Sequence, residues 1–292
     1  MKVLSLFDGL SCGMIALERA GISVEQYYAS EIEAESIKIS QRNYPQIIQL
    51  GDVTKWREWD ISWNEIDLLI GGSPCQGFSV AGKKLNFDDP RSKLFFEYVD
   101  ILHHIQKFNP SVKFLLENVI MKQEWLDIIS GYLEVPPVKI NSALVSAQNR
   151  PRVYWTNITE TLELPEDKHI YLKDIIENNA NFVYIDEQKT QNRTFTKNYM
   201  QYDINGTGHR SQDQRAYYLN GKCGCLDTGC GSKVKLLCED GRVRKFTKRE
   251  LERLQTLPDG YTDGVLTSKA TQAIGNGWTV DVITHIFNYL ND

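Results

Sequence analysis

At 292 residues, 41% of them hydrophobic and 11% aromatic, the chain can bury a sizeable core as one large domain plus a smaller one, and its composition excludes disordered, fibrous and repeat architectures. Met1 runs straight into "KVLSLFDG" with no signal-peptide pattern, and no stretch approaches the roughly 18 apolar residues of a membrane span, so a cytoplasmic protein without membrane contact is expected. The net charge of −5 is uneven: Lys189 to Arg253 holds 14 Lys and Arg against 7 Asp and Glu, a net +7 that leaves −12 on the remainder and suits a protein offering one face to phosphates.

In chain order, "KVLSLF" predicts a strand, "CGMIALERAG" a helix closing on Gly21, "QYYAS" a strand, and "EAESIKISQRNY" a helix halted by Pro45. "IIQL", "IDLLIGG" and "KFLLEN" predict further strands. Between the last two, "RSKLFFEYVDILHHIQKF" has apolar residues at helical spacing and stops before Asn109-Pro110. Alternation of strand and helix predicts a parallel sheet covered on both faces, whose ligands sit beyond the carboxyl ends of the strands.

Three of those strand ends carry groups for an adenosine-containing cofactor. Gly9 and Gly13 in "FDGLSCG" allow a tight turn into a helix N-terminus. Glu31 in "SEIE" lies about 20 residues further on, the separation at which a carboxylate meets ribose hydroxyls in doubly wound folds. Asp52 in "GDV" is placed to accept from an exocyclic amine. Composition leaves open which nucleoside cofactor this is.

Six cysteines are too few for a disulfide scaffold, so each thiol needs its own reason. Cys75, in "GGSPCQGFS" after the fourth strand, would read alone as a buried structural residue. It has company: "LLENV" ends the next strand with Glu117 at the same sheet edge, and Gln148, Arg150 and Arg152 cluster in "AQNRPRVYW". Thiolate, carboxylic acid and arginine facing a nucleoside cofactor suit covalent catalysis on an electron-poor ring.

In this order and along almost the whole chain, these segments resemble the DNA cytosine-5 methyltransferase family. "LSLFDGLSCG" resembles its cofactor loop, "GGSPCQGFS" its nucleophile loop and "DDPRSKLFFE" the segment after it. "LLENV" and "QNRPRVYW" resemble its glutamate and arginine motifs, and "RKFTKRELERLQTLPDGYT" and "QAIGNGWTVDVI" its last two segments. Ser11-Cys12-Gly13 stands where many bacterial members have a Gly-Gly pair, and the Trp of "GNGWTV" is similar to the animal de novo enzymes.

The resemblance implies an α/β fold: a Rossmann-like S-adenosylmethionine-dependent methyltransferase sheet with helices on both faces, plus a small irregular target-recognition domain. It implies that Cys75 adds to C6 of a cytosine flipped out of duplex DNA, that Glu117 holds the N3 and amino edge, and that Arg152 meets the ring carbonyl with Arg150 beside it. By motif position it assigns Phe7, Asp8, Gly9, Leu10, Ser11, Gly13, Glu31, Ile32, Asp52, Val53, Pro74, Leu94, Asn276, Trp278 and Val280 to S-adenosyl-L-methionine, and Ser79 and Gln148 to DNA. The expected division is 1–158 catalytic, 159–243 target-recognition, and 244–292 a return that completes the catalytic domain, its final helix packing beside the first strands.

The recognition region is rich in Gly, Asn, Gln, Arg and Ser, groups that read base edges and phosphates, and Arg210 and Arg215 flanking "SQDQ" are its candidates for groove contacts. Cys223, Cys225, Cys230 and Cys238 lack the paired C-x2-C knuckles of ordinary zinc sites, so unliganded thiols and no metal are expected. Double-stranded DNA is the expected partner of a monomeric enzyme, and a companion restriction endonuclease is compatible with the resemblance. Two rivals are a transfer-RNA-methylating branch of the same family and a catalytically dead DNA-binding homologue. "PCQGFS" with the basic segment argues against the first, and Cys75, Glu117, Arg150 and Arg152 together argue against the second.

Overall fold

The computed structural model describes residues 1–73, 90–178, 180–187, 193–202 and 212–291. By contact the chain forms two units: Met1–Ile140 with Pro151–Leu164 and Val280–Asp292, and Asn141–Arg150 with Pro165–Thr279.

The first unit begins β1 (Lys2–Leu6), α1 (Cys12–Arg19), β2 (Gln26–Ser30), α2 (Ala34–Asn43), β3 (Ile48–Gln49) and β4 (Leu68–Gly71). It continues through α3 (Pro90–Phe108), β5 (Lys113–Val119), α4 (Gln123–Leu133), β6 (Val138–Asn141) and β7 (Pro151–Thr156). The strands form one seven-stranded sheet ordered β3-β2-β1-β4-β5-β7-β6. Pairing from β3 to β5 is parallel, and β7 runs antiparallel to β5. Strands buried on both faces need apolar side chains throughout rather than in alternation, which is why β4 and most of β1 and β5 read as near-continuous apolar runs. Leu4, Leu6, Leu69, Phe95, Tyr98, Phe114 and Trp155 belong to one buried cluster on this sheet. Strand order reverses about β1, which has β2 on one side and β4 on the other, and that reversal opens the crevice where such sheets take ligands.

Gly13 lies inside α1, not in the turn before it. A Cβ there would come within 2.3 Å of Ile70 Cδ1, so glycine is what lets the helix approach β4.

The second unit holds β8 (Thr194–Phe195), β9 (Tyr199–Gln201), β10 (Arg215–Tyr218), α5 (Cys230–Lys233), β11 (Lys235–Leu237), β12 (Val243–Lys245), α6 (Lys248–Leu254) and α7 (Thr267–Asn276). Its strands form a five-stranded sheet ordered β12-β11-β10-β9-β8, packed on Met200, Tyr202, Ala216 and Val243. Glu250 fixes the next segment to it. Fully buried, this carboxylate accepts from both terminal nitrogens of Arg244 at 2.8 Å, from Thr247 N at 2.8 Å and from Glu177 N at 2.9 Å, and closes a capping box on α6. Deleting one partner of such a pair costs about 3–5 kcal/mol, because the other charge stays buried.

This anchoring explains a difference from the expected division. By contact, residues 244–279 stay with the second unit, and the chain rejoins the first only at α8 (Val280–Asn288), which packs on α1 with an Arg19–Asp281 ion pair at 2.7 Å.

Candidate active site

The loop leaving β1 is wound by three left-handed residues, Phe7 (φ 57°), Gly9 (φ 59°) and Ser11 (φ 54°), two of which pay for that conformation with a side chain. What holds them is buried polar bonding. Tyr27 Oη donates to Asp8 Oδ1 at 2.8 Å, Ser11 Oγ donates to Asp8 Oδ2, and Ser11 Oγ lies 2.6 Å from Ser40 Oγ. Burial raises the pKa of the Asp8 carboxyl against the opposing pull of these hydrogen bonds. Asp8 and Ser11 therefore shape the loop with their side chains. Leu10 and Gly13 are buried as well.

Glu31, at the end of β2, accepts from Gly9 N at 2.7 Å on one oxygen and from Ile32 N (2.7 Å) and Glu33 N (2.9 Å) on the other, tying the first two strand ends together. Asp52, after β3, caps the following turn: its Oδ1 accepts from Thr54 N and Oγ1, both at 2.9 Å, and these bonds hold its pKa below the ordinary value. Its Oδ2 has no hydrogen-bond partner among the described residues. Ile32 is 69% exposed beside Glu31, whereas Val53 is buried. Two carboxyl acceptors and a bare apolar side chain at adjacent strand ends match the ribose hydroxyls, exocyclic amine and ring of an adenosine, so the residues present fit S-adenosyl-L-methionine.

Further along the sheet, Glu117 on β5 and Arg152 on β7 form a pair, Nε to Oε1 2.9 Å, with both side chains largely buried. Next to Glu117, Asn118 faces the other way. It is 2% exposed and sends Nδ2 to Ser73 O (3.4 Å) and Oγ (3.3 Å), pinning the last described residue before "PCQGFS". Sequence reasoning missed Asn118, although its place beside Glu117 in a period-two strand was a signal that it faces opposite. Pro74, Cys75, Ser79 and Arg210 lie outside the described residues. Leu94 is half-buried in α3 against the main cluster, as is Phe7 at the loop.

In the second unit, two expected site residues turn inward. Gln148, assigned to DNA, is fully buried: Nε2 donates to Leu254 O (3.0 Å) and Gln255 Oε1 (3.1 Å), and Oε1 accepts from Leu226 N (2.8 Å). Arg150, assigned to catalysis, is 4% exposed and donates to the carbonyls of Leu226, Gly275 and Gly277. A planar fork of five donors suits such multiple carbonyl bonding. Asn276 is exposed and Trp278 half-buried. Val280, in the first unit, is buried. Arg215 stacks its guanidinium over Tyr199 at 4.6 Å and donates Nε to Gln201 at 3.3 Å.

The cysteines go separate ways. Cys223 and Cys230 are buried, which pushes the Cys230 thiol up to about 12 and raises that of Cys223 too, while Cys225 is exposed. Among the described residues no three His, Cys, Asp or Glu converge on a metal position, and no helix is long and apolar enough to cross a membrane.

The sheet order is that of the mixed α/β methyltransferase class of folds. Within that class, the model of the C-5 cytosine-specific DNA methylases matches residues 1–124 and 138–292, and the chain belongs to that family, which uses S-adenosyl-L-methionine. It is 29% identical over 311 residues to the type II methyltransferase M1.ScrFI of Lactococcus lactis subsp. cremoris, covering 97% of this chain and 76% of that protein. It is 26% identical to the type II methyltransferase M.HhaI of Haemophilus parahaemolyticus, covering 98% and 93%. The fold also matches the crystal structure of the S. pombe Dnmt2 methyltransferase, with a TM-score of 0.73 and 18% identity over 99% of this chain and 98% of that one.

Proposed function

We propose that this enzyme transfers a methyl group from S-adenosyl-L-methionine to C5 of a cytosine flipped out of a short, specific double-stranded DNA sequence, through a covalent bond between Cys75 and C6. The observation that carries this reading is the Glu117–Arg152 pair near the end of β5, one residue from the Asn118 side chain that holds Ser73, just before "PCQGFS".

The Cys75 thiolate attacks C6, forming the S–C6 bond and pushing the ring π electrons toward C5 and N3. Glu117 at the N3 and amino edge and Arg152 at the ring carbonyl lower the energy of that charge. Pre-pairing orients both groups before substrate arrives, so little reorganisation is left for the reaction itself. When bound, the cofactor supplies an electrophilic methyl group on a sulfonium; Glu31, Asp52 and Ile32 would hold its adenosine. Loss of the C5 proton to a base then restores the aromatic ring, breaks the S–C6 bond and releases Cys75 as thiolate. Sequence choice is assigned to residues 159–243.

Bisulfite sequencing of DNA from cells expressing the chain tests the reaction and finds the motif. Cys75→Ser is expected to abolish methylation while keeping DNA binding, because a hydroxyl is far less nucleophilic at nearly the same size. A duplex with 5-fluorocytosine at the target should form a denaturation-resistant complex with the wild-type chain only, since fluorine cannot leave as a cation. Substantial turnover by the serine variant would remove Cys75 from this role.

A further inference from the structure

We propose that the Tyr98 hydroxyl is a contact for the amino-acid end of S-adenosyl-L-methionine, donating a hydrogen bond to its α-carboxylate. This rests on the cofactor positions assigned above to Glu31 and Asp52.

The starting observation is a stranded polar atom. Tyr98 is fully buried in α3 within the main apolar cluster, and its Oη has no hydrogen-bond partner among the described residues. A phenylalanine would fill the same space without stranding an oxygen, as Phe95 and Phe114 do in the same cluster. The Gln49 amide and Trp59 Nε1 are also buried without a partner among the described residues, but both of those residues are partly exposed, so water lies close by.

Packing places the Tyr98 hydroxyl under the cofactor crevice. A Cβ added to Gly71, the last residue of β4, would come within 3.0 Å of Tyr98 Cε2 and 3.1 Å of Leu6 O, so the ring lies against the final rung of the β1–β4 pair, Leu6 with Gly71. That rung is where the strand order reverses. Because β4 and β5 are parallel, α3 runs back along the sheet between them and starts at its carboxyl edge. Side chains on a helix lean toward its N-terminus, which aims the phenol at that edge. Neighbouring Glu97 shows the level: it accepts from Trp56 Nε1 at 3.0 Å, and Trp56 lies in the turn that Asp52 caps. Leu94, assigned to the cofactor by motif position, precedes Tyr98 by one turn on the same helix face.

The order of the strand ends selects which part of the cofactor meets Tyr98. Asp52 and Glu31, the acceptors for the adenine amine and the ribose, follow β3 and β2, and β3 is the edge of the sheet, so only β1 and β4 remain beside them. A molecule laid along this edge with its adenosine at β3 and β2 extends its amino-acid end over β1 and β4, above the Tyr98 ring. Of the groups at that end, the carboxylate is the strong acceptor for a phenol O–H. Burial raises the Tyr98 phenol well above its ordinary pKa, which keeps the proton on the oxygen.

Calorimetry with two ligands tests this. S-Adenosylhomocysteine has the amino-acid end, whereas 5′-methylthioadenosine keeps the adenosine and the thioether but lacks it. Tyr98→Phe should weaken S-adenosylhomocysteine by about tenfold or more, the scale of a hydrogen bond to a charged group, and leave 5′-methylthioadenosine unchanged. In the empty chain, the urea midpoint of the variant should equal or exceed that of the wild type, because the stranded oxygen is gone. Equal weakening of both ligands, or of neither, overturns the proposal. So does a lower midpoint, which would mean that the hydroxyl already has a partner before the cofactor arrives. Each of these results, with S-adenosylhomocysteine binding to the wild type intact, leaves the cofactor site itself standing. No binding of S-adenosylhomocysteine by the wild type overturns both.

Discussion

Arg152 Nε reaches Glu117 Oε1 at 2.9 Å diagonally across the β5–β7 ladder, because the register sets Glu117 opposite Tyr154 and Val119 opposite Arg152. Diagonal neighbours on one face lie within reach of a long side chain, so the antiparallel β7 delivers an arginine to a carboxylate two residues before the end of a parallel strand. Glu117→Gln should keep the fold and DNA affinity while lowering turnover by about 100-fold or more, the scale seen when one electrostatic partner of a transition state is removed. Single-turnover kinetics checks it. Wild-type rates would take the pyrimidine edge away from Glu117.

Asp52 makes a separable prediction for the cofactor. Its Oδ1 is committed to Thr54, leaving Oδ2 to accept an amine. Asp52→Asn keeps the side chain's shape and an oxygen for Thr54, whereas Asp52→Ala removes both. The alanine variant should lose about 1–3 kcal/mol of S-adenosylmethionine affinity, roughly 5- to 150-fold. Calorimetry with unchanged affinity in both variants would show that this strand end does not hold the adenine amine.

The first unit was legible for a physical reason. Strands such as "VLSL" and "LLIG" are buried on both faces, so their apolar runs stand out between turn residues, and the strand ends could be ranked by their acids and glycines. The strands of the second unit have two to four residues each, too few to show a period of two, so the region read as irregular. The directions of Gln148 and Arg150 were also hidden. A polar residue in a motif looks like a ligand contact, and their partners lie 75 to 127 residues away in the chain.

Asp8 gives the loop a pH signature. Burial raises its folded-state pKa above the ordinary 3.8, so the native chain holds this proton more tightly than the unfolded one. Its contribution to stability therefore falls as pH rises from about 4 through the raised folded value. Asp8→Asn cannot titrate, so the urea midpoint of the variant relative to wild type should move in the variant's favour as pH rises across that window. A difference that stays flat with pH would mean that Asp8 is not desolvated in the native loop.

The last prediction separates base reading from scaffolding within residues 159–243. Arg215 is part of β10, stacked on Tyr199 and bonded to Gln201, so its guanidinium already serves the sheet. Arg215→Ala should lower activity on every site and reduce stability, leaving the methylated motif as it is. Arg210, proposed as the groove contact, should behave differently. A bidentate arginine to guanine is worth about 1–3 kcal/mol of discrimination, so Arg210→Ala should broaden the motif at one position in bisulfite sequencing. A phosphate contact there would instead weaken all sites alike and flatten the salt dependence. If neither substitution alters the motif, and replacing 159–243 with the matching segment of a relative also leaves it unchanged, sequence choice resides outside that segment.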